Sequence, residues 1–383
     1  MIHPETQQKD QLYAWWQQCL EHFCDHGWNE ATGLLHEKLD AQGVGTGAYH
    51  RALVHARLLY VYSYWGNNHE LGGDARFLTQ ARRIYNTLIH HFYDHQQGGW
   101  VFALKGDGKA CDTPQQLYTQ AFVLFGLTSY YQHFADESAK YWIDTTIDAI
   151  EGRFLRHDGL YHARLNGQEA VRDGQIAQHP MMHLLEAYLL HTEVFSDTAS
   201  LGKANILART VCKHFLYNGF LLEHIDNNYA LHAECGALCE PGHQFEWAWL
   251  LHWLMRLDDH DEFAKTASRL TRNGLRHGWD TSHGGIYDSV DAAKRKAITT
   301  DKRLWPITEL LKITHQRPDY IKEFSLSYND ILAFFCQNYL RGNDEGFWHE
   351  WLRDDLSPRR LQADDYLMPA SSLYHISMAL AEQ

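Results

Sequence analysis

One short segment carries residues suited to moving a proton. Pro241-Gly242 predicts a turn and the apolar run after it predicts a helix, so His243 falls in the first helical turn. The backbone N–H groups there favour a neutral imidazole and stabilise nearby negative charge. Glu246 lies three residues on, on the same helix face, where we expect it to orient the ring. A histidine placed in this way suits acid–base catalysis near neutral pH.

Three further segments place His or Glu near the start of a predicted helix. His183 and Glu186 repeat the His-x-x-Glu spacing. Glu309 follows a helix-starting Trp-Pro pair that includes Trp305, and His375 opens an apolar helix near the C-terminus. Any one of these histidines could simply cap a surface turn. Four such segments, each at the same end of a helix, instead indicate one shared pocket.

The usual sequence signatures of cofactor sites are absent. There is no Gly-x-Gly-x-x-Gly after a strand, no phosphate-binding loop and no His-Glu-x-x-His. The seven cysteines include no Cys-x-x-Cys pair, so they predict reduced thiols and neither a zinc site nor a disulfide framework. We therefore expect catalysis without a metal or an organic cofactor.

Bringing these residues together requires a repeated architecture, and spaced glycines indicate one. Six glycines, each followed by two apolar or aromatic residues, recur at steps of 66, 60, 60, 66 and 61 residues. About 60 residues hold two helices of about 15 residues plus loops. The pattern predicts an all-α (α/α)6 barrel, a single domain over 1–383, with short extended segments at one rim. The glycines are Gly33, Gly99, Gly159, Gly219, Gly285 and Gly346, and apolar stripes predict helices at 52–65, 118–134, 182–195, 245–256 and 327–340.

Charge and composition narrow the range of partners. Lys plus Arg number 34 against 48 Asp plus Glu, and the resulting net charge of −14 repels nucleic-acid backbones and anionic lipid. No stretch is long and apolar enough for a membrane helix, and the N-terminus lacks the apolar core of a signal peptide. We expect a cytoplasmic monomer or homodimer that acts on a small molecule. The 13 Trp, 21 Tyr and 17 Phe can fill the core or stack on sugar rings.

Several segments, in order along the whole chain, resemble the N-acylglucosamine 2-epimerase superfamily. This superfamily includes cellobiose 2-epimerases, mannose isomerases and other aldose–ketose isomerases. The most specific match is PGHxFEW, and no single match would suffice without the others. The matching segments are HARL with Arg57, LYTQAF at 117–122, MHLLEAY at 182–188, PGHxFEW at 241–247, WPxxE at 305–309 and YH at 374–375.

The resemblance implies an (α/α)6 barrel whose funnel binds an open-chain sugar. It implies that His243 and His375 are the proton-transfer pair and that His183 helps ring opening or binds a hydroxyl. Arg57 would hold the substrate oxygens and stabilise the enediolate, the anion formed when the C2 proton leaves. The other residues assigned by resemblance are Glu246 and Glu309, which would set histidine orientation and charge, and Tyr118, Trp305 and His179, which would contact the substrate.

Two departures from the family's N-acetylsugar epimerases concern the substrate. Where those relatives carry asparagines before MHLLE, this chain has His179-Pro180-Met181. Where relatives often carry Lys before the LYxQAF stretch, this chain has Gln115. Both changes alter polar contacts to the substrate, so an N-acetyl sugar fits less well. We expect a free monosaccharide, with D-mannose to D-fructose as the single reaction favoured.

Three alternatives stay open from the sequence. A 2-epimerase of mannose, cellobiose or N-acylglucosamine would return the proton to the opposite face of C2 with the same residues. A glycoside hydrolase or lyase on the same toroid would use two carboxylates, for which Glu246 and Glu309 are the best-placed acids. A non-catalytic binding toroid would leave the paired histidines without a role.

Overall fold

The chain is built from α-helices that alternate between an outer and an inner layer. The computed structural model describes residues 4–68, 73–111, 113–171, 174–341, 346–360 and 367–382. Within these ranges the odd-numbered helices are outer and the even-numbered helices are inner. The helices are α1 (Pro4–His26), α2 (Ala52–Gly66), α3 (Ala75–Thr87), α4 (Leu117–Phe134), α5 (Glu137–Ala149), α6 (His179–Phe195), α7 (Thr198–Phe215), α8 (Pro241–Asp258), α9 (Ala264–Gly278), α10 (Trp305–Gln316), α11 (Tyr328–Asn338) and α12 (Ser372–Ala381).

The two layers differ in sequence because they differ in what surrounds them. The outer helix α9 buries one stripe, with Ala267, Leu270 and Leu275 at helical spacing, and presents Arg and Lys outward. The inner helix α2 is apolar on all sides and is buried along nearly its whole length. Each inner helix packs on the next, and α12 packs back on α2, which closes the ring.

Helix starts also differ between the layers. The outer helices α3, α5 and α7 begin at aspartates whose side chains accept backbone N–H groups, and α11 begins with a capping box at Ser327. The inner helices α6, α8 and α10 instead carry proline in the first turn, where its fixed φ fits. This is why α6 and α8 begin three or four residues before the apolar stripes that predicted them.

Short antiparallel strands form one rim of the ring. They are β1 (Trp28–Asn29), β2 (Leu34–Leu35), β3 (Lys38–Leu39), β4 (Gly45–Thr46), β5 (Tyr49–Arg51), β6 (Ala103–Lys105), β7 (Gln115–Gln116), β8 (Arg164–Asn166), β9 (Glu169–Ala170), β10 (Gln175–Ala177), β11 (Leu216–Tyr217), β12 (Phe220–Leu221), β13 (His224–Asp226), β14 (Leu238–Cys239), β15 (Ser289–Asp291), β16 (Lys296–Thr299), β17 (Lys302–Arg303), β18 (Trp351–Leu352) and β19 (Met368–Pro369). Each strand that precedes an inner helix pairs with a strand from the next repeat, and β19 closes this circle by pairing with β3.

The repeat glycines turn the hairpins of this rim. All six adopt φ between 69° and 91°, from Gly33 to Gly346, the left-handed region that side chains disfavour. Each glycine follows an outer helix and reverses the chain into a short antiparallel pair, such as Trp28 with Leu35 or Trp279 with Ile286. The predicted all-α ring of hairpins, with extended segments at one rim, is confirmed.

Among the helices of the described residues, none combines the length and apolarity needed to cross a lipid bilayer. All seven cysteines are free thiols.

Candidate active site

The first turns of the inner helices surround a cavity of about 500 Å³, a volume typical of small-molecule sites. Of the catalytic and substrate-contacting residues assigned by resemblance, Glu309 does not line the cavity, because it lies fully buried behind His375. The site residues expected from sequence are therefore brought together. Those lining the cavity are Arg57, Tyr118, His179, His183, His243, Glu246, Trp305 and His375.

His243, the third residue of α8, is held by a carboxylate that the sequence did not reveal. Its Nδ1 lies 2.8 Å from Oε2 of Glu223, and the same oxygen accepts a hydrogen bond from Gln178. Glu240 lies 3.9 Å from the same ring nitrogen. Burial acts to lower the pKa of His243, but the charges of Glu223 and Glu240 raise it to about 9.

His243 therefore carries a proton at neutral pH, and the expectation of a neutral imidazole was wrong. The helix N-terminus does disfavour the imidazolium, but two carboxylates beside the ring outweigh it. The expected pairing with Glu246 was also wrong. Glu246 lies one turn deeper, where its Oε1 is 3.6 Å from Nδ1 of His183.

His183 lies deeper in the cavity, above a group of buried acids. Its Nδ1 is 3.0 Å from an Oε2 atom of Glu186, whose other oxygen accepts a hydrogen bond from Tyr374. Burial, reinforced by the charge of Arg57, lowers the pKa of His183 well below its ordinary range. Burial likewise raises the pKa of Glu246 well above its usual range, with the nearby acids adding to the shift. Burial therefore favours the uncharged forms of both His183 and Glu246.

His375 is the fourth residue of α12, and its surroundings lower its pKa, whereas those of His243 raise the pKa. The Nδ1 atom of His375 lies 2.9 Å from Oε1 of Glu309, as expected for a glutamate that orients the ring. Burial lowers the pKa of His375 to about 4, although the hydrogen bond to Glu309 acts in the other direction. The ring is therefore neutral at pH 7, and Nδ1–H donation to Glu309 leaves Nε2 with a free lone pair.

Trp305 lies between the two histidines. Its ring centroid is 4.9 Å from that of His243 and 5.7 Å from that of His375. The indole reaches this position because Gly242 has no side chain: a Cβ atom there would stand 2.4 Å from the Trp305 ring.

Arg57 supplies a fixed positive charge on the opposite wall. Its guanidinium stacks between aromatic rings, 4.2 Å from the centroid of Phe122 and 4.9 Å from that of Tyr374. It also donates a 3.0 Å hydrogen bond to the hydroxyl of Tyr118. The Tyr118 ring in turn packs against His179, 5.4 Å away, whose pKa burial lowers to about 4.

Further polar residues line the mouth of the cavity that sequence reasoning missed. Arg303 stacks between Trp305 and Trp351 and is paired with Glu240 at 2.5 Å. A second missed residue is Glu350, which accepts a 2.8 Å hydrogen bond from Ser372. Its burial raises the pKa of this carboxyl.

Gln115, which the sequence placed against the substrate, does not reach the cavity. Its side chain donates to the carbonyl oxygen of Gly98 at 3.0 Å and accepts from Arg153 at 2.8 Å. These contacts tie the Gly98 turn to β7 and to Arg153 at the rim, so Gln115 carries no information about the substrate. Only His179 remains of the two departures used to disfavour an N-acetyl sugar.

Two sets of residues in and beneath the cavity each bring three potential metal ligands close together. One is His183, Glu186 and Glu246, and the other is Glu223, Glu240 and His243. In the second set the ring of His243 is protonated, and both Glu223 oxygens already accept hydrogen bonds, one from the backbone of Glu240. Hydrogen bonds account for the geometry of the second set without an ion. In the first set His183 and Glu186 share a hydrogen bond, but the buried Oε1 of Glu246 accepts none from the described residues.

Known proteins resemble this chain over nearly its full length. The sequence profile of the N-acylglucosamine 2-epimerase (GlcNAc 2-epimerase) family matches residues 6–379. A protein named mannose-6-phosphate isomerase from Rhizobium meliloti is 29% identical over 377 residues, covering 93% of this chain and 91% of that protein. A D-mannose isomerase from Marinomonas mediterranea is 24% identical and covers 76% of each chain.

A solved structure also matches the fold of this chain over its whole length. A crystal structure of a D-mannose isomerase superposes with a TM-score of 0.84 at 21% identity, covering 100% of this chain and 99% of that one. The likeness in fold, the match of the family profile from one end of the chain to the other, and a cavity with histidines on facing helices agree. The chain belongs to the N-acylglucosamine 2-epimerase family and is a sugar isomerase or epimerase.

Proposed function

We propose that this enzyme interconverts a free aldose and its ketose, D-mannose and D-fructose, through an enediolate. The observation that carries the proposal is that two histidines on either side of Trp305 have surroundings that favour different protonation states. Neutral His375 can accept a proton, and charged His243 can donate one. Environments that push two pKa values apart in this way assign the base and the acid.

The first half of the reaction uses both histidines. Nε2 of His375 takes the proton from C2 of the open-chain aldose, and the electron pair forms the C1–C2 double bond while the carbonyl π electrons move to O1. His243 gives its proton to O1. Arg57, whose charge is held by stacking on Phe122, stabilises the negative charge that develops on the oxygens.

The second half returns both protons. His243, now neutral, takes the proton from O2, and the C2 carbonyl forms as C1 accepts the proton held by His375. Both histidines end in their starting states, so no external acid, base or oxidant is consumed. Return of a proton to the other face of C2 would give the epimer instead.

The charges at the mouth support a neutral sugar rather than a sugar phosphate. Glu223, Glu240 and Glu350 line the cavity, and the arginine at its mouth, Arg303, is already paired with Glu240. A phosphate at the mouth would meet this acidic lining, where Arg303 is already paired with a carboxylate. The relatives named D-mannose isomerase support the choice of mannose, whereas the Rhizobium meliloti relative is named for mannose 6-phosphate.

The experiment is incubation with a panel of sugars in deuterated water, followed by NMR. The panel contains mannose, glucose, lyxose, fructose, mannose 6-phosphate, cellobiose and N-acetylmannosamine. We expect fructose from mannose, with deuterium at C1 of the fructose and at C2 of the remaining mannose. The same result is expected with EDTA present, because the proposed steps use protein groups alone.

Each other outcome would identify a different reaction. Glucose from mannose, without fructose, would mean 2-epimerisation, and faster turnover of mannose 6-phosphate would overturn the argument from charge. New reducing ends from cellobiose would indicate hydrolysis. Loss of activity with EDTA, restored by a divalent ion, would contradict the metal-free mechanism.

A further inference from the structure

A lysine lies buried directly beneath the cavity. Lys312, on α10, has an exposed fraction of 0%. Its Nζ is 2.6 Å from Oε2 of Glu309 and lies 3.9 Å from the centroid of the Trp249 ring. A fully buried ammonium is costly unless it is paired, so its position calls for an explanation beyond packing.

Three buried carboxyl groups surround this lysine, but they differ in charge. Burial raises the pKa of Glu186 to about 7 and that of Glu246 well above its usual range. For Glu309, burial acts in the same direction, but the charge of Lys312 and the hydrogen bond from His375 lower the pKa below its ordinary value. Glu309 is thus the one that stays ionised, and it is the one in contact with both Lys312 and His375.

We propose that Lys312 is a positioning residue that keeps Glu309 ionised, so that Glu309 holds His375 with a proton on Nδ1 and a bare Nε2. This rests on the proposed role of His375 as the base. Glu309 has two oxygens with separate partners: Oε2 faces Lys312 and Oε1 faces Nδ1 of His375. The lysine therefore acts on the base through the carboxylate and has no need to touch the substrate.

The proposal follows from what an uncharged Glu309 would do. Without Lys312, three carboxyl groups would share one buried region, and Glu309 would take up a proton. A carboxylic acid can donate to Nδ1 of His375, which would move the ring proton to Nε2 and remove the lone pair that faces the sugar. The other charged or titratable groups that face this cluster come from five inner helices. They are Arg57 and Tyr60 on α2, Tyr118 on α4, His183 on α6, His243 on α8 and Tyr374 on α12.

Lys312→Met tests the proposal, and Lys302→Met is its matched control. Lys302 is also fully buried and paired, with its Nζ 3.0 Å from Oδ2 of Asp280. Its carboxylate partners are not the ones that hold His243 or His375. We expect Lys312→Met to lower kcat about 100-fold at neutral pH with KM little changed, as for loss of a general base. Part of the rate should return as the pH rises and Glu309 ionises, and Lys312→Arg should keep the wild-type pH profile.

Lys302→Met should lower the melting temperature while its pH profile stays that of the wild type. A second test combines Lys312→Met with Glu309→Gln. If Lys312 acts only through Glu309, the double variant should be no slower than Glu309→Gln alone. Additive losses, a wild-type rate for Lys312→Met, or a loss that does not depend on pH would each overturn the proposal.

A measurement without turnover separates this proposal from the proposed reaction. In protein with 15N-labelled histidine, the His375 signal, assigned by its absence in His375→Gln, should show protonated Nδ1 and bare Nε2. In Lys312→Met this pattern should be lost. If no sugar reacts but the NMR result holds, the proposed reaction is wrong and the positioning role stands; an unchanged tautomer in the variant would refute the role itself.

Discussion

The two histidines beside Trp305, His243 and His375, differ in what surrounds them, and single substitutions should separate their roles. His375→Asn should stop both turnover and deuterium exchange at C2, because it removes the base. His243→Asn should slow product formation at least about 100-fold and yet retain slow exchange, because the C2 proton can still leave. Exchange and product formation can be followed together by NMR in deuterated water.

Stability should also distinguish the two histidine variants. His375→Asn should unfold near the wild-type temperature, whereas His243→Asn should unfold earlier because it leaves the buried Glu223 without its cation. If either variant keeps more than about a tenth of wild-type turnover, that residue is not the acid–base group. If both fail to fold, these histidines are structural.

The charge of His243 predicts a pH dependence. In the wild type the acid form of His243 persists up to its pKa of about 9, so the alkaline fall of kcat/KM should begin only near that pH. Glu223→Gln removes the largest effect that raises this pKa and leaves burial to lower it, so the alkaline limb should move to lower pH. The control is Glu37→Gln, since Glu37 also lies four residues after a repeat glycine but pairs with Arg51. An alkaline limb that stays near pH 9 in Glu223→Gln would contradict the assignment.

The sequence contained more of the site than its motifs alone suggest. The same 24 residues separate Gly33 from Arg57, Gly159 from His183, Gly219 from His243 and Gly285 from Glu309. The repeat therefore placed each of these side chains in the first two turns of an inner helix. The charge of His243 could not be predicted, because it depends on Glu223, which reaches the ring from a rim hairpin 20 residues earlier in the chain.

At the scale of elements, the site depends on how closely α8 approaches α10. A Cβ at Gly242 would stand 2.4 Å from the Trp305 ring, closer than atoms can pack, so the indole or the helix would have to move. Gly242→Ala should therefore lower kcat at least about 10-fold by displacing Trp305 from between the histidines. The control is Gly202→Ala in α7, where the new Cβ meets nothing within 4 Å. It should keep full activity and stabilise the fold by up to about 1 kcal/mol. Wild-type turnover in Gly242→Ala would show that the position of Trp305 is not needed.

Helix starts and rim strands were the parts of the fold that the sequence predicted least well. Helix spans followed from apolar periodicity, but their starts were missed where a proline begins the helix before the stripe does, as at Pro180 and Pro241. The rim strands are two to four residues long, and those before the inner helices pair across repeats. Such short strands leave almost no periodicity in the sequence, so only the glycines that precede them were visible.

At the scale of the whole molecule, the two ends of the chain complete one ring. The last helix, α12, packs on both α10 and α2, and Ser377 on α12 accepts a 2.7 Å hydrogen bond from Trp65 on α2. The strand before it, β19, pairs with β3 from the first repeat. A chain of 383 residues often divides into two domains, but contacts that join the first hairpin to the last oppose such a division.

We therefore predict that the protein unfolds as a single unit. Helix content by far-ultraviolet circular dichroism and tertiary structure by tryptophan fluorescence should be lost in one coincident transition with denaturant. Truncation after Ser371 should abolish that transition, because removing α12 exposes the apolar faces of both α10 and α2. Full-length His375→Asn is the control, since it lacks the same imidazole and keeps the helix that closes the ring. Two separate transitions in the wild type, or native circular dichroism in the truncated chain, would mean that part of the ring folds on its own. The cavity would then depend only on the hairpins that line it, whereas a single transition ties the geometry of both histidines to closure of the whole ring.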